Sequence, residues 1–211
     1  MRSNDGIPLF ANGAPAIAAQ TAERLAATAD AEISVAGVSL ALDPAGTLYW
    51  PREQLLVVSD LHLEKGSSFA TRGVLLPPYD TAATLERLAA TLSRHTVRTV
   101  VALGDNFHDQ SGPARLAAAD RAKLLELQRG REWIWIAGNH DPDPAARIGG
   151  VFAASLSLEP LWFRHEPMPQ ASPGEIAGHL HPVAASAGAA TKRRIKIVLR
   201  ESEQSGRKDS R

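Results

Sequence analysis

The chain of 211 residues contains no cysteine. This excludes disulfide bonds and thiolate metal ligands, so any metal ion must be held by oxygen and imidazole donors. Long apolar runs are also missing, and none approaches the roughly 18 residues that a membrane-spanning helix needs. The first residues lack the charged and then apolar pattern of a signal peptide. We therefore expect a cytoplasmic protein with no membrane contact.

Net charge is absent as well, because 23 basic residues balance 23 acidic residues. The chain has no overall positive field that would attract nucleic acid, so any DNA binding would depend on local groups of cations. Lys65 and Arg72 are the better candidates for contacts with substrate phosphate. The basic run over 192–200 is a weaker one, because short runs of this kind are usually solvated tails.

Apolar periodicity and turn residues predict one α/β domain. Strands are predicted over 33–42, 47–50, 54–58, 97–103 and 132–137, and helices over 80–94 and 113–128. This alternation is typical of parallel strands with crossover helices. Shorter strands over 151–157, 160–164, 174–178 and 195–199 have a more antiparallel pattern. We expect an irregular N-terminal extension over 1–30, a single domain over 31–200 and a disordered tail over 201–211.

Two residues near the first predicted helix also have expected local roles. Asp80 is a plausible N-cap at its start. His95 follows its end and is expected to interact with the helix dipole and nothing more.

Short blocks of Asp, Asn and His occur along the chain, and the first three each close an apolar run. In order they are Asp60-Leu61-His62, Gly104-Asp105-Asn106-Phe107-His108, Gly138-Asn139-His140-Asp141, the single His165, and Gly178-His179-Leu180-His181. The carboxyl ends of strands are where open α/β sheets build their sites. Mixed oxygen and imidazole donors without thiolate suit manganese, iron or zinc.

The spacing within the blocks has a physical reading of its own. One residue between Asp60 and His62 would let both side chains leave the same side of an extended segment, and the same holds for His179 and His181. Glycines 104, 138 and 178 are expected to let the backbone turn sharply beneath the metals. Any single block is a weak signal, because Asp-x-His is most often a surface turn. His165 alone could equally be a buried structural histidine.

Five such blocks in this order resemble the calcineurin-like metallophosphoesterase superfamily. Within it, the run 59–66, together with Leu76-Pro77-Pro78-Tyr79-Asp80, is similar to the ligase-associated DNA damage response endonuclease branch. The resemblance extends over residues 33–182. It implies an α/β fold, the metallophosphoesterase α/β/β/α sandwich, with a metal site at the carboxyl ends of the central strands.

The resemblance also implies two divalent metal ions, manganese above all, with iron or zinc as alternatives. One ion would be held by Asp60, His62, Asp105 and His181, and the other by Asp105, Asn139, His165 and His179. Asp105 would bridge the pair, since a shared carboxylate offsets the repulsion of two cations about 3.5–4 Å apart.

Three further residues are candidate catalytic groups. His140 follows a ligand, and the resemblance implies that it stabilises or protonates the leaving oxygen. His108 stands where many members of the superfamily have an Asp that orients the catalytic histidine. Here Asp109 or Asp141 could orient His140 instead, or His108 could contact phosphate directly. The candidate set is therefore His140, Asp141 and His108.

The function implied is two-metal hydrolysis of phosphodiester bonds by a DNA-repair-associated nuclease, with DNA as substrate and repair proteins as possible partners. One alternative is a small-molecule phosphodiesterase or pyrophosphatase that acts on nucleotides, because fold alone does not decide substrate. The other is a non-catalytic scaffold with a phosphoesterase fold. Degenerate scaffolds lose ligands, whereas this chain keeps all seven as well as His140, which favours an enzyme.

Overall fold

The computed structural model describes residues 31–140, 148–169, 173–179, 183–184, 193–194 and 198–200. The expectations for the extension over 1–30, the tail over 201–211, Asp141 and His181 therefore lie outside the described residues. Among the described helices, none is long and apolar enough to cross a membrane.

Strands dominate the described part of the chain. They are β1 (Ala31–Val35), β2 (Val38–Asp43), β3 (Thr47–Trp50), β4 (Leu55–Val58), β5 (Thr99–Leu103), β6 (Glu132–Ile136), β7 (Val151–Ala153), β8 (Ser155–Leu158), β9 (Leu161–Arg164), β10 (Glu175–Ala177), β11 (Val183–Ala184), β12 (Arg193–Arg194) and β13 (Val198–Arg200). The helices are α1 (Lys65–Ala70), α2 (Asp80–Arg94), α3 (Gly112–Arg115) and α4 (Ala118–Gln128).

Two packed sheets form the framework. The larger has seven strands in the order β1-β2-β3-β4-β5-β6-β7, and the smaller has the order β13-β10-β9-β8. Strands β1 to β4 pair antiparallel, whereas β4 to β7 pair parallel through crossover connections. Helices α2 and α4 cover the face of the larger sheet that lies opposite the smaller sheet. The predicted α/β fold is confirmed, and the described residues form the helix, sheet and sheet layers of the sandwich.

The central strands are buried on both faces, which explains why they appear in the sequence as continuous apolar runs. In β4, Leu56 and Val58 pack in the cluster that contains the helices, while Leu55 and Val57 pack against the smaller sheet. Side chains alternate between faces with a period of two residues, so each face receives every second residue. The buried apolar runs of β4 and β5 stop where the first two polar blocks begin, so these blocks lie at the carboxyl ends of the two strands.

Several predicted boundaries are wrong for local reasons. The single strand predicted over 33–42 is a hairpin, because Ala36 and Gly37 have φ angles of 49° and 79° and form a two-residue turn. The helix predicted over 113–128 is interrupted at Leu116 and Ala117, where ψ is 121° and 147°. Helix α1, over Lys65–Ala70, lies in a segment for which no helix was predicted.

Asp80 does not cap α2, because Tyr79 occupies the N-cap position. The Asp80 carboxylate instead accepts a hydrogen bond of 3.1 Å from the backbone N–H of Gly66. The side chain that was expected to begin one helix therefore connects α2 to the first turn of α1.

An ion pair around the buried Asp43 carboxylate joins the end of β2 to the end of α2. The Asp43 carboxylate accepts hydrogen bonds of 2.6 Å from Arg94 and 2.9 Å from His95. Burial opposes ionisation of Asp43, but Arg94, the Ala45 amide and His95 hold its pKa below the ordinary value. His95 also stacks on Tyr49, with ring centroids 4.4 Å apart. The expectation that His95 interacts with the helix dipole and nothing more is therefore wrong.

We expect Asp43→Asn to lower the free energy of unfolding at pH 7 by about 1.5–3 kcal/mol, the usual effect of losing hydrogen bonds to a charged group. The lowered pKa means that ionised Asp43 stabilises the fold above the unfolded value of 3.8. That stabilisation is lost as the pH falls through the folded-state pKa. Urea unfolding from pH 7 to pH 3 measures both effects.

Glu126→Gln is the matched control for this experiment, because Glu126 forms a solvent-exposed pair with Lys123 on α4. It should change stability by less than about 0.5 kcal/mol. Equal losses for the two variants would contradict a structural role for the buried pair.

Candidate metal centre

The loops that follow β4 and β5 run side by side at the carboxyl edge of the larger sheet. The backbone N–H of His62 donates to the carbonyl of Asp105 at 3.0 Å, and that of Leu63 donates to the carbonyl of Asn106 at 2.9 Å. The parallel pairing of the two strands thus continues into the polar blocks. This brings Asp60 and His62 next to Asp105.

The backbone adopts left-handed conformations at the candidate ligands. Asp60, His62, Asp105 and His179 have φ angles of 50°, 45°, 47° and 65°. Non-glycine residues rarely adopt this region, and each such position costs about 1–3 kcal/mol, with functional sites as the commonest place for it. The expectation that Asp60 and His62 project from an extended segment is therefore wrong.

The three glycines of the blocks differ in what they contribute. Gly104 has a φ of 73°, and a Cβ there would lie 2.5 Å from Nδ1 of His165. Gly178 is not at positive φ, but a Cβ on it would overlap the Ser59 hydroxyl. Gly138 is not at positive φ either. The expected left-handed turn holds for Gly104, whereas Gly178 is needed for a close approach between chain segments.

Asp60, His62 and Asp105 form the first candidate ligand group. One potential ligand atom from each residue lies within 4.8 Å of the others. Both carboxylates are buried, and His62 is half-buried. The Ser59 hydroxyl donates to Oδ2 of Asp60 at 2.6 Å. This hydrogen bond orients a ligand in the way that residues next to metal sites commonly do.

Asp105, His165 and His179 form the second group, within the same 4.8 Å limit. Asn139 joins them, because its Oδ1 lies 2.7 Å from Nε2 of His165 and 3.1 Å from Nδ1 of His179. Asp105 is thus common to both groups. Six of the seven predicted ligands are brought together, and His181 is the one outside the described residues.

The chemistry of the second group fits a cation. Nδ1 of His165 contacts the carbonyl of Leu103 at 2.8 Å, and a carbonyl only accepts, so this nitrogen carries the proton. In neutral His165, Nε2 is then an acceptor, yet it faces Oδ1 of Asn139, Oδ1 of Asp105 at 3.4 Å and Nδ1 of His179 at 3.2 Å. Lone pairs that converge in this way repel one another, and a divalent ion would satisfy them together.

His140 lies at the edge of both groups, and its side chain is 41% exposed. Its backbone N–H donates to Oδ1 of Asp105 at 3.0 Å, so it helps to fix the shared carboxylate. Its ring Nδ1 donates to the carbonyl of His108 at 3.0 Å. Nε2 is left facing Oδ2 of Asp105, 3.8 Å away. Of the two ring nitrogens, Nε2 is the one available for proton exchange.

Among the described residues, the main chain of His108 orients His140. Asp109 is engaged elsewhere, with Arg115 at 2.8 Å and the Ser111 amide at 2.9 Å. Burial opposes ionisation of Asp109, yet the Arg115 guanidinium and this amide bring its pKa to about 2. The hypothesis that Asp109 orients His140 is therefore wrong.

The His108 ring lies among aromatic side chains at the opening of the site. Its centroid is 5.8 Å from those of His62 and His140 and 5.5 Å from that of Phe69. Burial lowers the pKa of His108, and the nearby charges of His140, Lys65 and Arg72 lower it further. Lys65 and Arg72 thus create a positive potential beside the candidate ligands.

Sequence reasoning missed the groups that hold the ligands in place. The carbonyls of Leu103 and His108 fix the imidazoles of His165 and His140. Backbone carbonyls have no signature in a sequence. Ser59 stood next to a predicted ligand, and a hydroxyl beside a ligating carboxylate is the one signal that could have identified it.

We expect Asp105→Asn to weaken binding of two divalent ions together, because the only carboxylate common to both groups loses its charge. Metal analysis after dialysis, or calorimetric titration with Mn²⁺, measures the loss. Asp109→Asn is the matched control, as the same change four residues away should leave both ions bound. Two tightly held ions in Asp105→Asn would contradict the assignment.

Comparisons with known proteins agree with this geometry. The family model described as calcineurin-like phosphoesterase matches residues 54–190. Among solved structures, the chain is similar to the Pseudomonas putida nuclease MPE, with 29% sequence identity and a TM-score of 0.62. The match covers 82% of this chain and 86% of the other. A comparison with curated proteins found no match.

Proposed function

This chain belongs to the calcineurin-like phosphoesterase family, and we propose that it is a two-metal phosphodiesterase that cleaves DNA. The observation that supports this most is that two ligand groups share the single carboxylate of Asp105. A shared carboxylate is the arrangement that two neighbouring cations require. The solved relative is described as a nuclease, which favours nucleic acid over a small nucleotide as the substrate.

We assign the ligands as follows from the donors that converge. Asp60, His62 and Asp105 would hold one ion, with His181 as the proposed fourth ligand, and Asp105, Asn139, His165 and His179 would hold the other. When bound, the two divalent ions, for which we propose manganese, activate water and offset charge on the phosphate oxygens.

The protein's own groups would position and protonate the substrate. His140 is open to solvent and would donate a proton from Nε2 to the leaving oxygen, while the His108 carbonyl keeps the ring in place. Lys65 and Arg72 are both exposed beside the site and would contact phosphates that flank the scissile bond. A role in DNA repair, with repair proteins as partners and a cytoplasmic location, rests on the resemblance of residues 59–66 to the endonuclease branch.

We expect His140→Ala to keep both ions and to lose roughly 10²–10⁴ in turnover, the usual size of an acid–base contribution. The loss should shrink for phosphodiesters with a good leaving group, because such a group leaves without protonation. Steady-state kinetics on a series of aryl phosphodiesters, with metal content measured in parallel, tests this. An equal loss across the series would instead mean that His140 stabilises charge on the phosphate.

DNA affinity should depend only weakly on salt, because Lys65 and Arg72 are the cations that we assign to phosphate contacts among the described residues. Each neutralised phosphate contributes about −0.9 to the slope of log affinity against log salt on duplex DNA, so we expect a slope of roughly −2 to −4. Replacing Lys65 and Arg72 by Gln should reduce its magnitude by about 2. Arg52 and Lys123 are matched exposed cations away from the site, and Gln at both should leave the slope unchanged.

The basic run over 192–200 is unsuited to a deletion test. It includes β13, which pairs antiparallel with β10, so truncation would remove a strand of the smaller sheet.

If DNA is neither bound nor cut at low salt with manganese, while a small nucleotide is hydrolysed, the nuclease proposal is wrong and the small-molecule alternative replaces it.

A further inference from the structure

The segment between α1 and α2, here called the 71–79 loop, exposes an unusual amount of apolar surface. Val74, Leu75, Leu76 and Tyr79 are 48%, 87%, 39% and 71% exposed. They are four of the nine large hydrophobic side chains that are exposed in the described residues. Single exposed apolar side chains are ordinary, but a cluster of them in one short segment marks a binding surface for a ligand or another macromolecule.

Hydrogen bonds and prolines restrict the backbone of the 71–79 loop. The backbone N–H groups of Gly73 and Val74 donate to the carbonyls of Ala70 and Phe69 at 3.0 and 3.1 Å, which fixes the start of the loop against the end of α1. Two consecutive prolines at 77 and 78 restrict the φ angles near its other end. A segment with restricted backbone freedom loses less conformational entropy on binding, so its apolar contacts contribute more of their energy to affinity.

The loop is also connected to the candidate metal centre. Val74 hydrogen-bonds to the main chain of Phe69, and the Phe69 ring lies 5.5 Å from that of His108. His108 in turn contacts the rings of the candidate ligand His62 and of His140, each at 5.8 Å between centroids. The apolar surface therefore begins beside the groups that would hold the scissile phosphate.

Charge complementarity indicates what occupies this surface. Lys65 at the start of α1 and Arg72 within the loop are both exposed. Lys65 follows the candidate ligand His62 by three residues, and the amide of Arg72 donates to the carbonyl of Phe69, whose ring lies 5.5 Å from that of His108. Cations next to apolar and aromatic side chains match a ligand that alternates phosphate charge with flat apolar faces, which describes a nucleic acid strand. A protein partner could use the apolar side chains but would not need cations that border the candidate metal centre.

We propose that the 71–79 loop contacts the bases of the strand that is cleaved, with Tyr79 stacking on a base and Leu75 packing beside it. This inference rests on the proposed nuclease function and adds the residues that bind the strand next to the scissile bond. Tyr79 and Leu75 touch neither candidate ligands nor the acid His140, so they contribute binding and not chemistry.

The test compares three substrates: a DNA oligonucleotide, the same oligonucleotide with abasic residues around the cleavage site, and bis(p-nitrophenyl) phosphate. Tyr79→Ala and Leu75→Ala should each lower kcat/KM on the oligonucleotide by roughly 5- to 100-fold, mainly through KM, as expected for loss of a base contact. Neither variant should change hydrolysis of the small phosphodiester or of the abasic substrate. Tyr79→Phe should behave as the unmodified protein, because its ring still stacks.

Leu125→Ala is the matched control, since Leu125 is 43% exposed on α4 and should affect none of the three substrates. Unchanged thermal melting would show that the loop variants remain folded. Equal losses on the abasic and normal oligonucleotides would overturn the inference, because the loop would then contact the DNA backbone and not the bases. No loss on either would also overturn it and would leave a protein partner as the occupant of the loop surface. A loss on the small phosphodiester would also overturn it, because the loop would then support the metal centre.

The same measurements separate this inference from the proposed function. If the unmodified protein cuts both oligonucleotide and small phosphodiester but the variants match it, only the loop assignment fails. If it hydrolyses the small phosphodiester alone, the nuclease proposal fails and the loop assignment fails with it. If neither substrate is cut in the presence of manganese, phosphodiesterase activity itself is refuted.

Discussion

The carboxylate of Asp105 is the group on which the rest of the candidate site depends. It belongs to both ligand groups, its Oδ1 accepts the backbone N–H of His140, and its own carbonyl accepts the N–H of His62. Two sets of acceptors this close repel one another, and cations held between them, as we propose, would relieve that repulsion with one carboxylate serving both sides. A displacement of Asp105 would therefore disturb the ligands, the approach of His140 and the pairing of the β4 and β5 loops together.

The fold supplies this arrangement by bringing two pairs of parallel strands to one place. Strands β4 and β5 of the larger sheet are followed by Asp60 and Asp105, while the parallel pair β9 and β10 of the smaller sheet is followed by His165 and His179. The amide of Gly178 donates to the carbonyl of His165 at 3.0 Å, so the parallel pairing of β9 and β10 continues beyond the ends of these strands. The pairing of β4 and β5 continues into the loops that follow them in the same way. Apolar side chains packed between the sheets, including Leu103 and Phe163, fix the distance between the two pairs. The core between the sheets thus sets the separation of the ligands.

Sequence reasoning predicted what depends on residue type and periodicity. The buried parallel strands and the convergence of the polar blocks follow from apolar runs that end in Asp, Asn or His. Helix α2 follows from the helical periodicity of its apolar residues. It did not predict the left-handed backbone at Asp60 and His62, because their amides pair with the carbonyls of Gly104 and Asp105 in the distant loop after β5, and local preference does not set those conformations. It also did not predict the role of Asp43, whose buried carboxylate joins β2 to Arg94 across a sequence separation of 51 residues. Helix α1 is too short, at six residues, for periodicity to reveal it.

Among the described residues, the orientation of His140 is set by a backbone carbonyl and not by a carboxylate side chain. A carboxylate partner would fix the imidazole but could also take up its proton, whereas the carbonyl of His108 only accepts a hydrogen bond. The tautomer is therefore set by the main chain, and proton exchange is confined to Nε2, which faces Asp105. Because the main chain of residue 108 performs this task, its side chain is not required to be acidic. The histidine that occurs there can instead pack between Phe69 and His62, where it links the 71–79 loop to the metal centre.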